Sequence, residues 1–224
     1  MARSLIHYMS LIVSCAALGA CITTRVEETK DAATGIEKGE SIVILASSFH
    51  TGNETEDDFV NCVTKRVARG RKGVDVMADE DFRDALFPWL EPRLAPRDLS
   101  DLPELLQRPG INEAIADSGV RYVVWLKGDT DQTSSGGGLS CAAAPGAAGC
   151  FGLAWWEDQS AYEAIIWDLQ DGVQSGTLST DVSGTSVIPA IVIPLPLIAR
   201  VQAAACKGLA TQLRVFIAGD GPAA

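Results

Sequence analysis

The chain has 224 residues, a length that suits one domain with a substantial core. Its 18 Lys and Arg are outnumbered by 29 Asp and Glu, which gives a formal net charge of −11. Because nucleic-acid binding requires basic side chains that neutralise phosphates, this balance argues against nucleic acid as a partner.

Residues 1–20 have the pattern of an export signal. Arg3 precedes a short apolar run that ends in the small residues Gly19 and Ala20. A positive start, an apolar stretch and small residues before a cleavage point are typical of secretory signals. About 14 apolar residues would rise only ~21 Å as a helix, which is short of a ~30 Å membrane core. A retained membrane helix is therefore disfavoured.

The sequence Leu18-Gly19-Ala20-Cys21 resembles the lipobox of bacterial lipoproteins. This resemblance implies cleavage before Cys21 and acylation of Cys21, with palmitate among the chains attached. Several acyl chains hold a protein on a membrane almost irreversibly. Ile22 follows the cysteine where Asp would favour the inner membrane of enteric bacteria, so the resemblance implies an outer-membrane anchor that faces the periplasm. A soluble exported protein is the alternative.

The polar residues 21–40 show little periodicity and predict an acylated cysteine on a flexible tether. A single domain is expected over residues 41–218, followed by a short tail over 219–224. The apolar run 42–46 predicts a central strand covered on both faces. A helix with Cys62 on its inward face, a strand at 74–77, a helix from Asp79, short helices at 102–107 and 111–118, and a strand at 120–127 are predicted next.

The Gly-, Ser- and Ala-rich residues 128–150 predict an inserted loop without regular structure. Strands at 151–157, 161–169 and 173–182, an apolar loop at 183–196 and a closing helix at 197–217 complete the pattern. The sequence therefore predicts an α/β fold with a mixed sheet (βα-βα-β, then an antiparallel meander and a closing helix) and helices packed on it.

This order of elements is similar to the periplasmic domain shared by the curli-secretion lipoprotein and the amino-terminal part of TolB. The similarity is carried by the stretch from Ala116 to Gly128, whose centre reads Ser-Gly-Val-Arg-Tyr-Val-Val, and by the later Asp-x-x-Asp-Gly turn of Asp168 to Gly172. Domains of this kind act in assembly or docking. The resemblance therefore implies a docking module and not an enzyme.

Four cysteines remain outside the signal and the anchor, an even number in a chain bound for an oxidising compartment. Cys141 and Cys150 flank a short Ala/Gly/Pro stretch and are expected to pair, which leaves Cys62 to pair with Cys206. A metal site is the alternative, but paired Cys-x-x-Cys motifs and additional histidines are missing from the sequence. We expect no metal and no cofactor.

Residues suited to catalysis are sparse. His50 is the single histidine after the signal, and a hydrolase would have to use it with Ser47 or Ser48, which are near it only in sequence. Asp129 and Asp131 begin like a calcium loop, but Ser134 and Ser140 replace its required Gly and Glu. The sequence predicts no enzyme, with a hydrolase as a less favoured alternative.

Two sets of apolar side chains are candidate partner-binding residues. Trp155 and Trp156 are adjacent on a predicted strand, so they point to opposite faces and one of them is a candidate for exposure. Ile191, Ile193 and Leu195 lie in the Pro-rich segment before the closing helix. The predicted function is an outer-membrane lipoprotein that docks or assembles a cell-envelope protein, and the alternative is a peptidoglycan- or glycan-binding module that uses exposed Trp.

Overall fold

A computed structural model of the chain describes residues 22–46, 55–69, 73–91, 94, 101–145, 147–194 and 196–219. The strands are β1 (Ile22–Lys30), β2 (Ser41–Ala46), β3 (Val76–Met77), β4 (Val120–Ala144), β5 (Ala147–Asp168) and β6 (Val173–Pro194). The helices are α1 (Asp57–Val67), α2 (Asp79–Ala85), α3 (Leu102–Leu106), α4 (Ile111–Ser118) and α5 (Val201–Ala218). The predicted mixed α/β class is confirmed. Among these helices, none is both long enough and apolar enough to cross a membrane.

The strands form one sheet in the order β1-β6-β5-β4-β2-β3. β2 pairs in parallel with β3 on one side and with β4 on the other. Ile42 and Val43 are fully buried although neighbouring strand residues point to opposite faces, so β2 is covered on both faces, as its unbroken apolar run predicts.

The described chain divides into two compact units, whereas the sequence predicted one domain over residues 41–218. We call the first the hairpin unit; it contains Ile22 to Thr24, Thr130–Ser160 and Val182–Ala204. We call the second the core unit; it contains the described residues of Arg25–Asp129 and Ala161–Asp181, and residues 205–219. β4, β5 and β6 each contribute residues to both units.

Helices of the core unit pack on both faces of its strands. Val43, Leu45 and Val123 join a buried cluster with apolar residues of α2, α3 and α4. α1 packs against β2, and Cys62 of α1 is bonded to Cys206 of α5 with a Cα–Cα distance of 6.2 Å. The structure thus contains the predicted bond between these two cysteines, which lie 144 residues apart in the chain, and the bond joins two helices.

The prediction of a flexible tether over residues 21–40 is wrong for Ile22–Lys30, which form strand β1 next to β6. The backbone continues to pair after the strand, because the N–H groups of Asp31 and Ala32 both donate to the Ser175 carbonyl at 2.9 and 3.1 Å. Every residue of β1 is exposed. An exposed edge strand is held by its backbone hydrogen bonds and leaves no apolar alternation in the sequence.

The prediction of an unstructured loop over residues 128–150 is also wrong, since β4 extends to Ala144 and β5 begins at Ala147. The glycines of this stretch were interpreted as evidence for a loop without regular structure. In the structure, Gly137 has a φ of 83°, and a Cβ on it would overlap the Leu153 carbonyl oxygen. Glycine in this strand therefore allows close approach of two backbones and does not break the strand.

The apolar segment 183–196 is strand and not loop as far as Pro194, because β6 continues through Pro189. Beyond it, Val187 and Leu197 exchange two backbone hydrogen bonds of 2.9 and 2.8 Å, so the chain folds back on β6. The closing helix begins at Val201, four residues after the predicted start at residue 197.

Candidate interaction surface

The distal part of the hairpin unit contains no charged side chain. From Gln132 to Trp156 the sequence consists of apolar, hydroxyl, amide and glycine residues together with the two cysteines. Cys141 and Cys150 are bonded across the two strands with a Cα–Cα distance of 4.0 Å, the second of the predicted disulfides. This bond fixes the strands relative to each other close to the turn of the hairpin.

Three apolar side chains of β5 form an exposed row that we call the apolar stripe. Phe151 is 75% exposed, Leu153 is 50% exposed and Trp155 is 38% exposed. They occupy alternate positions of one strand, so they point to the same face. The residues between them, Gly152 and Ala154, are small and half-buried. The stripe therefore presents two aromatic groups and one aliphatic group to solvent without an intervening charge.

The indole of Trp155 lies over Gly136 of the neighbouring strand. A Cβ at Gly136 would lie 3.0 Å from three atoms of the indole, so only glycine gives the ring this position without displacement. Trp156 is half-buried, and its Nε1 donates a 3.0 Å hydrogen bond to Asp158 Oδ2. The two adjacent tryptophans thus differ in exposure, with Trp155 the more exposed of the pair.

Polar contacts begin where the apolar stripe ends. The Ser134 hydroxyl donates to Glu157 Oε2 at 3.2 Å, and the Thr133 hydroxyl donates to the Glu157 carbonyl at 3.2 Å. Further along the strands, the hydroxyls of Thr130 and Ser160 are 2.7 Å apart. These contacts join β4 and β5 through side chains as well as through backbone pairing. The uncharged part of the hairpin therefore extends from a segment whose two strands are held together by side-chain hydrogen bonds.

The second predicted surface is only partly described. Ile193 is 69% exposed on β6, Ile191 belongs to the same strand, and Leu195 lies outside the described residues. The chain after Pro194 packs back on β6, where the Ala199 N–H donates to the buried Ser186 hydroxyl at 3.0 Å. Gly184 leaves room for Ala199 and Val201 over the same strand. Ile193 is thus the residue of this set that the structure places at the surface.

The core unit contains a cleft of about 760 Å³ between α3, α4 and the β5–β6 turn. Its polar lining includes Glu40, Asn112 and Asp171. Arg121 lies beside it, where its Nε and a terminal nitrogen both lie 2.8 Å from Asp168 Oδ2. The other oxygen, Asp168 Oδ1, accepts the N–H groups of Gln170 at 2.9 Å and Asp171 at 3.1 Å, so a carboxylate that is 2% exposed is fully hydrogen-bonded.

The electrostatics of this cluster are those of a structural ion pair. The hydrogen bond to Asp168 and its negative charge raise the pKa of the Arg121 guanidinium above its usual value. Glu40 Oε1 is 3.5 Å from Arg121 and Asp171 Oδ2 is also 3.5 Å from it. Three carboxylates therefore surround the Arg121 guanidinium. These contacts hold β4 against the β5–β6 turn.

The remaining predicted residues lie outside the described part of the chain. These are the lipidation residue Cys21, the histidine His50 and its neighbours Ser47 and Ser48. Within the described ranges, no group of three His, Cys, Asp or Glu side chains is arranged to hold a metal ion. The described residues thus offer the apolar stripe as the most distinctive surface feature of the hairpin unit.

Phe151 and Leu153 were missed by the sequence analysis, which named only the tryptophans of this strand. The signal was present as the pattern Phe-Gly-Leu-Ala-Trp, in which large apolar residues alternate with small ones. An alternation of that kind is usually assigned to a core-facing strand. Phe151 and Leu153 can be recognised as exposed only when the hairpin is known to be long. The prediction of a loop over residues 128–150 did not include such a hairpin.

Searches found no protein family and no curated protein that matches the chain. Among solved structures, the comparison returns a PelC dodecamer from Paraburkholderia phytofirmans, at 12% sequence identity and a TM-score of 0.38. A singly substituted form of that dodecamer gives 11% identity and the same TM-score. Each comparison covers 86% of this chain and 96% of the other chain.

Proposed function

We propose that this chain is a bacterial lipoprotein, anchored through Cys21 in the outer membrane, which faces the periplasm and docks a cell-envelope protein. The lipobox sequence before Cys21 supports the anchor, and the curli-secretion and TolB resemblance supports an assembly role. The single observation that carries the docking role is the apolar stripe of Phe151, Leu153 and Trp155.

The apolar stripe suits docking because of its composition and exposure. Aromatic side chains are enriched at protein interfaces, Trp is prominent among the residues that contribute most to binding energy, and charged residues are depleted at interface centres. Burying each such side chain completely from an exposed state is worth roughly 1.5–3 kcal/mol. Because Phe151 is 75% exposed and Leu153 is 50% exposed, at least half of that energy is still available to a partner at each of these two residues.

The anchor is tested on the protein purified from the membrane of its host. An intact-mass spectrum should show a chain that starts at Cys21 with fatty acyl groups attached, and the Cys21→Ser variant should lose both the acyl mass and membrane fractionation. A wild-type chain without acyl mass would contradict the anchor.

Docking is tested by a photoreactive amino acid placed at Phe151 or Leu153 in intact cells. One envelope protein should be cross-linked from both positions. Val215, which is 60% exposed on α5, serves as the matched control position and should give no such product. The double variant Phe151→Ser/Leu153→Ser, probed from Trp155, should lose the product while its circular dichroism is unchanged. Equal cross-linking from Val215 would contradict a specific docking surface.

A glycan-binding module is the second candidate, and the exposed ring of Trp155 supports it. Trp155 contacts Gly136 through its indole and is 38% exposed, and aromatic faces stack on apolar faces of sugar rings. Sedimentation with purified peptidoglycan sacculi should then occur and should be lost in Trp155→Ala. The Trp156→Ala variant is the control, because Trp156 is held by Asp158. Absence of co-sedimentation would eliminate this candidate.

A further inference from the structure

One edge of β4 is open within the described structure. β4 pairs in parallel with β2 only from Val120 to Leu126, and beyond that point β5 is its sole described neighbour. The Thr55 hydroxyl donates to the Leu126 carbonyl at 3.3 Å, at the residue where the parallel pairing stops. Residues 132–144 therefore have a β5 partner on one side and no described strand on the other.

This open edge lacks the features that normally protect an edge strand. Proteins protect exposed edges with charged side chains, especially Lys, with proline, or with very short strands. Residues 132–144 contain no charge and no proline. β1, an edge strand of the sheet, carries the charged side chains Arg25, Glu27, Glu28 and Lys30 within nine residues. The open edge of β4 thus lacks the charges that protect β1, and residues 132–144 are suited to accept a further strand.

The open edge is also held in an extended form before any partner arrives. The Cys141–Cys150 bond fixes its distal end, and the Thr133 and Ser134 contacts to Glu157 fix its base. Pre-organisation lowers the entropy lost when a second chain pairs with it.

We propose that residues 132–144 of β4 bind an extended, uncharged segment of a cell-envelope protein by β-strand addition. This inference rests on the proposed docking function and names the form of its partner. Backbone hydrogen bonds to the open edge supply affinity, and alternate side chains of the added strand supply specificity. A charged segment is disfavoured because this edge has no side chain of opposite charge to compensate its desolvation.

The glycines of β4 determine which side chains of an added strand fit beside this edge. Gly138 has nothing within 4 Å of the position where a Cβ would lie, and the three atoms nearest to that position at Gly136 belong to the Trp155 indole. A bulky apolar side chain of the added strand thus has space beside Gly138 and an aromatic edge at Trp155. The apolar stripe and the open edge then belong to one binding surface on the hairpin unit.

The test uses the mature, acylated protein in detergent and a ten-residue synthetic peptide of alternating Thr and Val. Hydrogen exchange should slow on addition of the peptide, and the slowing should be confined to residues 132–144. A control peptide that is N-methylated at every residue has no N–H group to donate from either edge and should not slow exchange. A peptide with Lys and Glu in place of Val should bind at least tenfold more weakly.

A matched pair of variants tests the location. Gly138→Lys places a charge on the open edge without steric overlap and should weaken peptide binding at least tenfold. Thr24→Lys places the same charge on the exposed strand β1 and should have no effect.

Three results would overturn the proposal. The first is slow exchange, in the dilute free chain, of those residue 132–144 amides that do not bond to β5, which would mean that the chain itself covers the edge. The second is protection that rises with protein concentration alone, which would identify a second copy as the occupant. The third is the absence of peptide-dependent protection. Specific cross-linking from Phe151 and Leu153 would still support docking in that case, so failure of strand addition is distinguishable from failure of the proposed function.

Discussion

Trp155 rests on Gly136, so the most exposed tryptophan of the hairpin unit is positioned by the absence of a side chain on the adjacent strand. An added Cβ would lie 3.0 Å from three indole atoms, which is closer than ordinary carbon contacts allow. The glycine run of β4 therefore has a structural role in shaping the candidate surface.

Gly136→Ala should displace the Trp155 ring without unfolding the hairpin. The five tryptophans can be labelled with 5-fluorotryptophan and assigned by single Trp→Phe changes. We expect the fluorine resonance of Trp155 to shift in Gly136→Ala while those of the core tryptophans Trp125 and Trp167 do not. Gly138→Ala is the control, because its Cβ would meet nothing within 4 Å. A Trp155 resonance that is identical in wild type and Gly136→Ala would contradict the stacked position.

Arg121→Met should destabilise the core unit by about 2–4 kcal/mol. Removal of the guanidinium leaves the Asp168 carboxylate, only 2% exposed, without its cationic partner, and breaking a buried pair from one side is costly. Arg83→Met is the matched control, because its pair with Asp79 is exposed and is worth less than about 0.5 kcal/mol. Urea unfolding followed by circular dichroism measures both. Equal losses of unfolding free energy in the two variants would show that the Arg121–Asp168 pair stabilises the protein no more than an exposed ion pair does.

Tyr122 should make the protein less stable at alkaline pH. Its side chain is fully buried, and burial raises the pKa of its hydroxyl above the usual value of about 10. The folded state therefore binds the phenolic proton more tightly than the unfolded state. Its stabilising effect is complete below pH ~10 and is lost as the pH rises through the folded-state pKa.

Tyr122→Phe separates this effect from that of other groups. The variant should show a smaller loss of unfolding free energy between pH 9 and pH 11 than the wild type. At pH 7 it should be less stable by about 1–2 kcal/mol, since the hydroxyl donates to the Gly35 carbonyl at 2.8 Å and accepts the Gly35 N–H at 3.1 Å. Parallel pH profiles of the two proteins would contradict the assignment.

Sequence reasoning succeeded where side-chain patterns reflect burial. The continuous apolar run of β2 identified a strand that the structure contains, because Ile42, Val43, Ile44 and Leu45 are buried. The helix predicted around Cys62 is α1, whose Phe59, Val63 and Val67 are buried at helical spacing. Sequence reasoning failed for β1 and for residues 128–150, where strands are held by backbone hydrogen bonds and carry polar or very small side chains. Such strands have no periodicity to detect.

The candidate surface shows the same limit. Trp155 was identified from its chemistry alone, whereas Phe151 and Leu153 could not be recognised as exposed until the hairpin was known to be long. The ion pair of Arg121 with Asp168 also could not be predicted from the sequence, because 47 residues separate the partners and only the sheet brings them together.

The two disulfides should differ in their contribution to stability. The Cys62–Cys206 bond closes a loop across 144 residues, and Cys141–Cys150 closes one across nine. On the chain-entropy account, the long loop stabilises by about 5 kcal/mol and the short one by about 3 kcal/mol. Cys206 is also fully buried between helices of the core unit, so its removal adds a packing cost.

The double variants Cys62→Ala/Cys206→Ala and Cys141→Ala/Cys150→Ala allow this comparison, because each removes one bond and leaves no free thiol. Urea unfolding should show the larger loss for the first. Hydrogen exchange should become faster throughout α1 and α5 in the first variant, whereas in the second it should become faster only near the turn between β4 and β5. The local effect in the second variant follows from the position of its bond at the end of the hairpin. A larger loss of stability for Cys141→Ala/Cys150→Ala would show that the hairpin, and not the joined helices, limits the stability of the chain.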